Sequence, residues 1–498
     1  MNRGLLIQIR KEFRALLPWW AGIVAVMAIC LGLELAYLKH SPSQMGLLVV
    51  SLCTYALGAI CLGALSFGHE YGHRTLPCLL AQPIARKQVL IVKGVALSVL
   101  LGLLALVGRA TLEIPLSWPT SPRTAIIFWL PLLCAVCLAP WLTLVSRGTL
   151  PGVVFTVALA VVLFITGGWL GVPYVAIWPI VGVLAVVAAM LTWRTFVRLE
   201  VAGDRSSEFD LVPWSIARPT STRTTVVGHP AFVLVRKELR LQQVTFGLGA
   251  FITTLWIAVS LTESLAPDRL PAGIRYVAAF VIGGLVSVLC GALASAEERQ
   301  LGTADWQRLL PVTHRAQWAI KAGTALAVAL LLAAALPAVL HAIAPEPLMN
   351  EGFHPMAVVL LCVSALYVSS LSDSGIQATL ATVPVMAAAT GIAAVLFWPI
   401  TAVAAPAVQA LAEWVTPLLD ITQPAWRWRY YPLNAGWVAG VGMVLVFAGA
   451  NHRTADRSRS RVLRQCAWLV ALAVTTVLLW MLTELVLLEW RRLALLNS

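Results

Sequence analysis

Long apolar runs, uncharged or nearly so, alternate with short basic segments along the chain. A helix needs about 20 apolar residues to cross a bilayer core, and runs of that length stand at 17–38, 46–68, 91–112, 124–146, 150–170 and 173–193. A second set stands at 246–264, 274–296, 319–343, 355–372, 376–400 and 432–450, with 466–488 as a possible thirteenth. The pattern predicts an all-α polytopic membrane protein of 12 spans, or 13. Composition agrees, because 60% of the 498 residues are hydrophobic and only 11% are charged, about half the charged share of a soluble domain. In the stretch from Met1 to Leu17, charged residues at Arg10, Lys11, Glu12 and Arg14 interrupt the apolar positions before any signal-peptide core forms. It is expected to be a basic amphipathic helix lying on the membrane surface.

The distribution of charge sets an orientation. Threading the spans with the N-terminus inside puts twenty-six of the 35 Lys and Arg residues on the cytoplasmic side, as the positive-inside rule requires. The net charge of +13 is then accounted for by cytoplasmic loops and anionic lipid, and requires no nucleic-acid partner. The expected location is the bacterial inner (cytoplasmic) membrane.

Two regions 226 to 228 positions apart match in kind and order, so the spans form two tandem six-helix units in parallel orientation. Arg10, Lys11 and Glu12 precede the first span, and Arg236, Lys237 and Glu238 precede the seventh. After the second span of each unit the pattern E-x4-T-x7-P-x9-K recurs without a gap, as Glu70, Thr75, Pro83 and Lys93 and as Glu298, Thr303, Pro311 and Lys321. Basic or titratable residues follow each proline, Arg86 and Lys87 in the first copy and His314 and Arg315 in the second. The chain therefore divides into a first transmembrane unit at 1–193, a cytoplasmic linker at 194–228, a second unit at 229–452, and a basic loop with a C-terminal hydrophobic helix at 453–498.

An amphipathic N-terminal helix, six spans, and a cytoplasmic loop carrying Glu, Gly-Thr, Pro, a basic residue and Lys resemble the permease subunits of ABC-2 type transporters. The second copy, with Gly302 and Thr303, fits more closely than the first, where Arg74 replaces the glycine. The resemblance implies that the loops 69–93 and 297–321 form short helices docking on a separate cytoplasmic ABC ATPase, in two copies, which would bind ATP and Mg. The chain itself would carry no cofactor. Thr and Glu would cap the short helix and the proline would end it. The basic residues would face acidic grooves on the partner or lipid phosphates. The resemblance also implies export across the inner membrane.

What the sequence lacks points the same way. No G-x-x-x-x-G-K-[ST] phosphate loop occurs, so the chain should not hydrolyse ATP itself. Charges that would mark ion coupling at membrane depth are nearly missing, with none in 124–146, 148–193, 276–296, 322–345 or 374–412. A route lined by apolar and small polar groups would suit a hydrophobic or amphipathic substrate, whether drug, peptide or lipid-like.

Two alternatives come from other classes. His69-Glu70-Tyr71-Gly72-His73 is a literal H-E-x-x-H, the spacing that puts two zinc ligands on one helical face with glutamate as base, as in an intramembrane metalloprotease. Against it, the repeated loop has Glu297 and Leu301 in place of the histidines, and Gly72 weakens the helix. A third ligand would have to come from a residue such as Asp373. No metal and no catalytic residue are therefore expected. The other alternative is a regulatory membrane protein that moves no substrate. Cys134 and Cys137, in an apolar helix between Pro131 and Pro140, are expected to pack rather than react. Trp426, Trp428, Tyr430 and Tyr431, with Arg427 and Arg429, are expected to form an interfacial belt just outside the twelfth span, and Gly436 and Gly440 on that span allow close helix contact.

Overall fold

The computed structural model describes residues 3–37, 43–72, 75–80, 85–116, 122–169, 174–198, 230–265, 273–300, 312–343, 355–382, 385–386, 404–411, 431–454 and 458–496. Every regular element among them is helical. Within a bilayer a helix satisfies its own backbone polar groups, which is why long apolar runs settle into it. The first unit runs through α1 (Arg3–Tyr37), α2 (Ser43–Gly72), the short α3 (Leu76–Leu80), α4 (Arg86–Leu116), α5 (Pro122–Leu133), α6 (Ala139–Ser146), α7 (Thr149–Trp169) and α8 (Tyr174–Val197). The second runs through α9 (Pro230–Leu241), α10 (Gln243–Leu265), α11 (Gly273–Gln300), α12 (His314–Leu330), α13 (Leu336–Ile343), α14 (Pro355–Leu371) and α15 (Tyr431–Arg453), followed by α16 (Arg459–Leu496). Eight of the described helices are long and apolar enough to cross a membrane. The protein is thus a multi-pass membrane protein by the character of its helices. The predicted span at 376–400 and the linker at 194–228 lie largely outside the described residues.

The N-terminal segment departs from expectation. No separate surface helix precedes the first span, because α1 continues unbroken from Arg3 to Tyr37. The reason is that one polar edge of its first turns is satisfied by protein: Gln8 and Glu12 are buried together with Leu16. In the second unit the matching segment does break, between α9 and α10 at Gln242, whose buried side-chain amide donates to the Cys290 carbonyl at 2.9 Å.

Two π-helical turns interrupt longer helices, at Cys134–Leu138 between α5 and α6 and at Leu331–Ala335 between α12 and α13. Each closes with the residue just before a proline, Ala139 N–H to the Cys134 carbonyl and Leu336 N–H to the Leu331 carbonyl. Pro140 and Pro337 follow. A proline ring clashes with the carbonyl four residues back, and the wider turn relieves that clash.

α2 and α11 hold the centre of their units. α2 packs on α1, α4, α6 and α7, and α11 packs on α10, α12 and α14. Both depend on a glycine where a neighbouring backbone comes in: a Cβ at Gly63 would lie 2.1 Å from the Ala135 carbonyl oxygen, and one at Gly291 would lie 2.2 Å from that of Cys362. The two glycines are 228 positions apart, the same separation as Glu70 and Glu298. α7 also packs on α10. α16 runs antiparallel to α15, with Gly436 against Thr476 and Gly440 opposite Leu472. A polar clamp fixes its near end: Gln465 accepts from the Tyr367 hydroxyl at 2.9 Å and donates to the Asn451 amide oxygen at 2.9 Å.

Candidate functional site

Successive residues on a helix point about 100° apart, so a Lys-Glu pair can turn its carboxylate inward while its ammonium stays at the edge. Lys11-Glu12 on α1 and Lys237-Glu238 on α9 both do this. Glu12 and Glu238 are each 3% exposed, whereas the lysine side chains are 40% and 35% exposed. Glu70 and Glu298 stand two residues from the ends of α2 and α11, where a carboxylate faces the negative end of the helix dipole and needs cations nearby. Lys93 and Lys321 stand seven residues into α4 and α12.

These eight residues assemble into two buried clusters of the same composition. In the first, the Lys93 ammonium lies 2.9 Å from Glu12 and 3.5 Å from Glu70, and Lys11 lies 2.9 Å from Glu70. In the second, Lys321 lies 3.2 Å from Glu238 and 2.5 Å from Glu298, and Lys237 lies 2.5 Å from Glu298. Each cluster holds two carboxylates and two ammonium groups, so its formal charge sums to zero. That balance matters, because an isolated buried ion costs several kcal/mol of desolvation, on the order of 3–5 kcal/mol once a partner is removed. Burial pushes the Glu238 carboxyl above the usual carboxylate range, and Glu298 adds to the effect while Lys321 opposes it.

Further groups surround the first cluster. Gln8 donates to Glu12 at 3.0 Å, Lys93 donates to the Ser66 carbonyl at 2.9 Å, and the Lys93 ammonium sits 5.5 Å from the Phe67 ring centre. The Thr75 hydroxyl donates to the Glu70 carboxylate, and its N–H donates to the Glu70 carbonyl at 3.0 Å. These two bonds close the turn from α2 into α3. Leu79 of α3 then seats among Phe67, Val89, Leu144 and Phe196, which packs the loop onto the helix ends.

Sequence reasoning placed Lys11, Glu12, Lys237 and Glu238 in one group and Glu70, Lys93, Glu298 and Lys321 in another; the fold joins the two groups. Lys93 and Lys321, the last residues of the repeated pattern, are 2% and 1% exposed and pair within the chain. Arg86 is likewise engaged, donating to the Val197 carbonyl at the end of α8 at 2.9 Å. Lys87, His314 and Arg315 are exposed, as are Arg10 and Arg236. Thr313 caps α12 by accepting from the Ala316 N–H. Pro83, Gly302, Thr303 and Pro311 lie outside the described residues, as do His73 and the belt at Trp426, Trp428 and Tyr430.

Sequence reasoning missed Gln8 and Arg299. Gln8 precedes Glu12 by four positions, the spacing of a helical side-chain pair, and this was a usable signal. Arg299 carried no such signal. Its guanidinium donates to the carbonyls of Ser369, Ser370 and Ser372 and so caps the C-terminal end of α14. No group of three or more His, Cys, Asp or Glu residues with the geometry of a metal site occurs among the described residues. The chain matches no known family model, and no curated protein or solved structure is significantly similar to it.

Proposed function

We propose that this chain is the membrane-spanning permease of an ABC-2 type exporter. In this reading it supplies both six-helix transmembrane units in one chain, above two copies of a separate cytoplasmic ATPase that binds ATP and Mg. The observation that carries the proposal is the recurrence of the buried cluster at matching positions. In each unit it ties the N-terminal helix, the end of the second helix and the start of the third into one body. A push on the loop at 69–93 or 297–321 is then delivered to three helices together, which is what a coupling loop must do. Two such bodies suit a machine driven by two ATPase subunits.

The remaining features take their place within this proposal. The N-terminus and both loops lie in the cytoplasm of a bacterium, below its inner membrane, and a hydrophobic or amphipathic substrate leaves through 12 spans. α16, antiparallel to α15, adds a thirteenth. The zinc-protease alternative needs a free Glu70 as base, yet Lys11, Lys93 and Thr75 all hold that carboxylate, which favours coupling over proteolysis.

The test is reconstitution of the full chain in vesicles with the phosphate-loop ATPase that co-purifies from its native membrane. ATP-dependent movement of a lipophilic dye is expected, along with several-fold stimulation of hydrolysis that falls in Glu70→Gln and Glu298→Gln. A chain that captures no ATPase, or one that carries about one zinc ion lost in His69→Ala, would overturn the proposal.

A further inference from the structure

The two N-terminal helices share a second feature, on the side facing away from the clusters. On α1 one outward stripe runs through Ile7, Arg10, Arg14, Leu17, Ile29 and Leu35, all exposed. Because α1 is a single helix with an apolar window at Ile7–Gly32, the outward Ile29 and Leu35 meet lipid tails. The side bearing Arg10 and Arg14 is turned toward the same lipid. Arg10 and Leu35 are separated by about 37 Å at 1.5 Å per residue. That exceeds the roughly 30 Å hydrocarbon core and reaches the headgroup layer.

α9 repeats the arrangement in register, with Arg236 and Arg240 exposed beside Phe232, Val233 and Leu239, which are 69%, 59% and 39% exposed. Each arginine pair is spaced i, i+4, where like charges repel. Among the described residues none of the four arginines has an acidic partner in either copy. Lys11 and Lys237, half-exposed at the edge of the same surface, already serve Glu70 and Glu298. A pair of arginines with no acidic partner among the described residues, flanked by exposed apolar side chains, fits a ligand with an anionic head and an apolar tail.

We propose that each unit holds an anionic phospholipid here, its phosphate between Arg10 and Arg14 in the first unit and between Arg236 and Arg240 in the second. Planar guanidinium groups engage phosphate oxygens in two-pronged fashion, while Ile7 or Val233 rests at the acyl boundary. The inference rests on the membrane character of the chain and needs neither an ATPase nor transport. Its failure would therefore leave the exporter proposal standing.

The full chain is purified in mild detergent, incubated with equal amounts of phosphatidylglycerol and phosphatidylcholine, and weighed intact with its retained lipids. Wild type is expected to retain phosphatidylglycerol preferentially, by roughly five-fold per arginine engaged, with the preference falling as salt rises. Arg10→Ala with Arg14→Ala should remove one retained lipid, and adding Arg236→Ala with Arg240→Ala should remove the second. Equal retention of the two lipids by wild type would overturn the proposal without any variant. So would an undiminished preference in the four-arginine variant. Loss of ATPase capture with lipid preference unchanged would assign the surface to a protein partner instead.

Discussion

The two buried clusters share their four charges but differ in what surrounds them. Around the first, Gln8 supports Glu12, and the Ser66 carbonyl and Phe67 ring support Lys93. At the positions matching Gln8 and Phe67 the second has Leu234 and Ser295, which supply neither an amide nor a ring. Lys321 accordingly draws closest to Glu298, whereas Lys93 draws closest to Glu12. The helix carrying the cluster also differs, being continuous through α1 but broken between α9 and α10. Among the described residues the first cluster is thus braced by Gln8, the Ser66 carbonyl and the Phe67 ring, and the second sits on a jointed helix. Similar charge placement thus coexists, among the described residues, with different surroundings and a different helix beneath.

Removing the central lysine should separate the clusters most strongly. Lys321→Met takes from Glu238 the ammonium that pairs with it at 3.2 Å and is expected to cost about 3–5 kcal/mol, seen as a lower midpoint in thermal unfolding followed by tryptophan fluorescence. Lys93→Met should cost less, because Gln8 still holds Glu12 and both Lys11 and Thr75 still hold Glu70. Equal losses would erase the distinction. Next come the glycine contacts, where the units should behave alike: Gly63→Ala and Gly291→Ala each force a Cβ against a backbone carbonyl, for a loss of about 1–3 kcal/mol. Gly94→Ala, with nothing within 4 Å, should instead be neutral or gain up to about 1 kcal/mol of helix stability. The smallest effect should come from transplanting the brace. Leu234→Gln places an amide four residues before Glu238, and its hydrogen bond of about 0.5–1.5 kcal/mol offsets part of the burial lost with the leucine, so it should lower the midpoint less in the Lys321→Met background than in wild type.

Much of the helical framework was legible in the apolar runs. The stretch 432–450 falls inside Tyr431–Arg453 and 274–296 inside Gly273–Gln300, because a hydrocarbon-length run has few other ways to satisfy its backbone. The repeat also singled out all eight cluster residues. Their pairing was not legible, since periodicity reports which side of a helix a residue occupies and not which helix lies opposite. Glu12 finds Lys93 across 81 positions, and no local pattern encodes that meeting. The same contact explains the misreading of the N-terminal segment. A charged stripe looks the same in sequence whether it meets water or a buried lysine, and here one edge meets the lysine. The bracing groups were hidden for a further reason: backbone carbonyls such as that of Ser66 have no signature in side-chain identity.

The clamp on α16 bears on how the chain is made. Synthesis proceeds from the N-terminus, and units generally fold as they emerge. The first cluster can close once residue 93 has appeared, within a short stretch of nascent chain. The Tyr367 hydroxyl, by contrast, waits 98 residues for Gln465, and the Asn451 amide waits for the same side chain. Until then the C-terminal end of α14 carries polar groups, Tyr367 and Ser370, whose bonds to Gln465 and Asn451 are unmade. Completion of the polar contacts of α14 is thereby timed by a residue on α16, so a chain ending between Asn451 and Gln465 is expected to be less stable than one that includes Gln465.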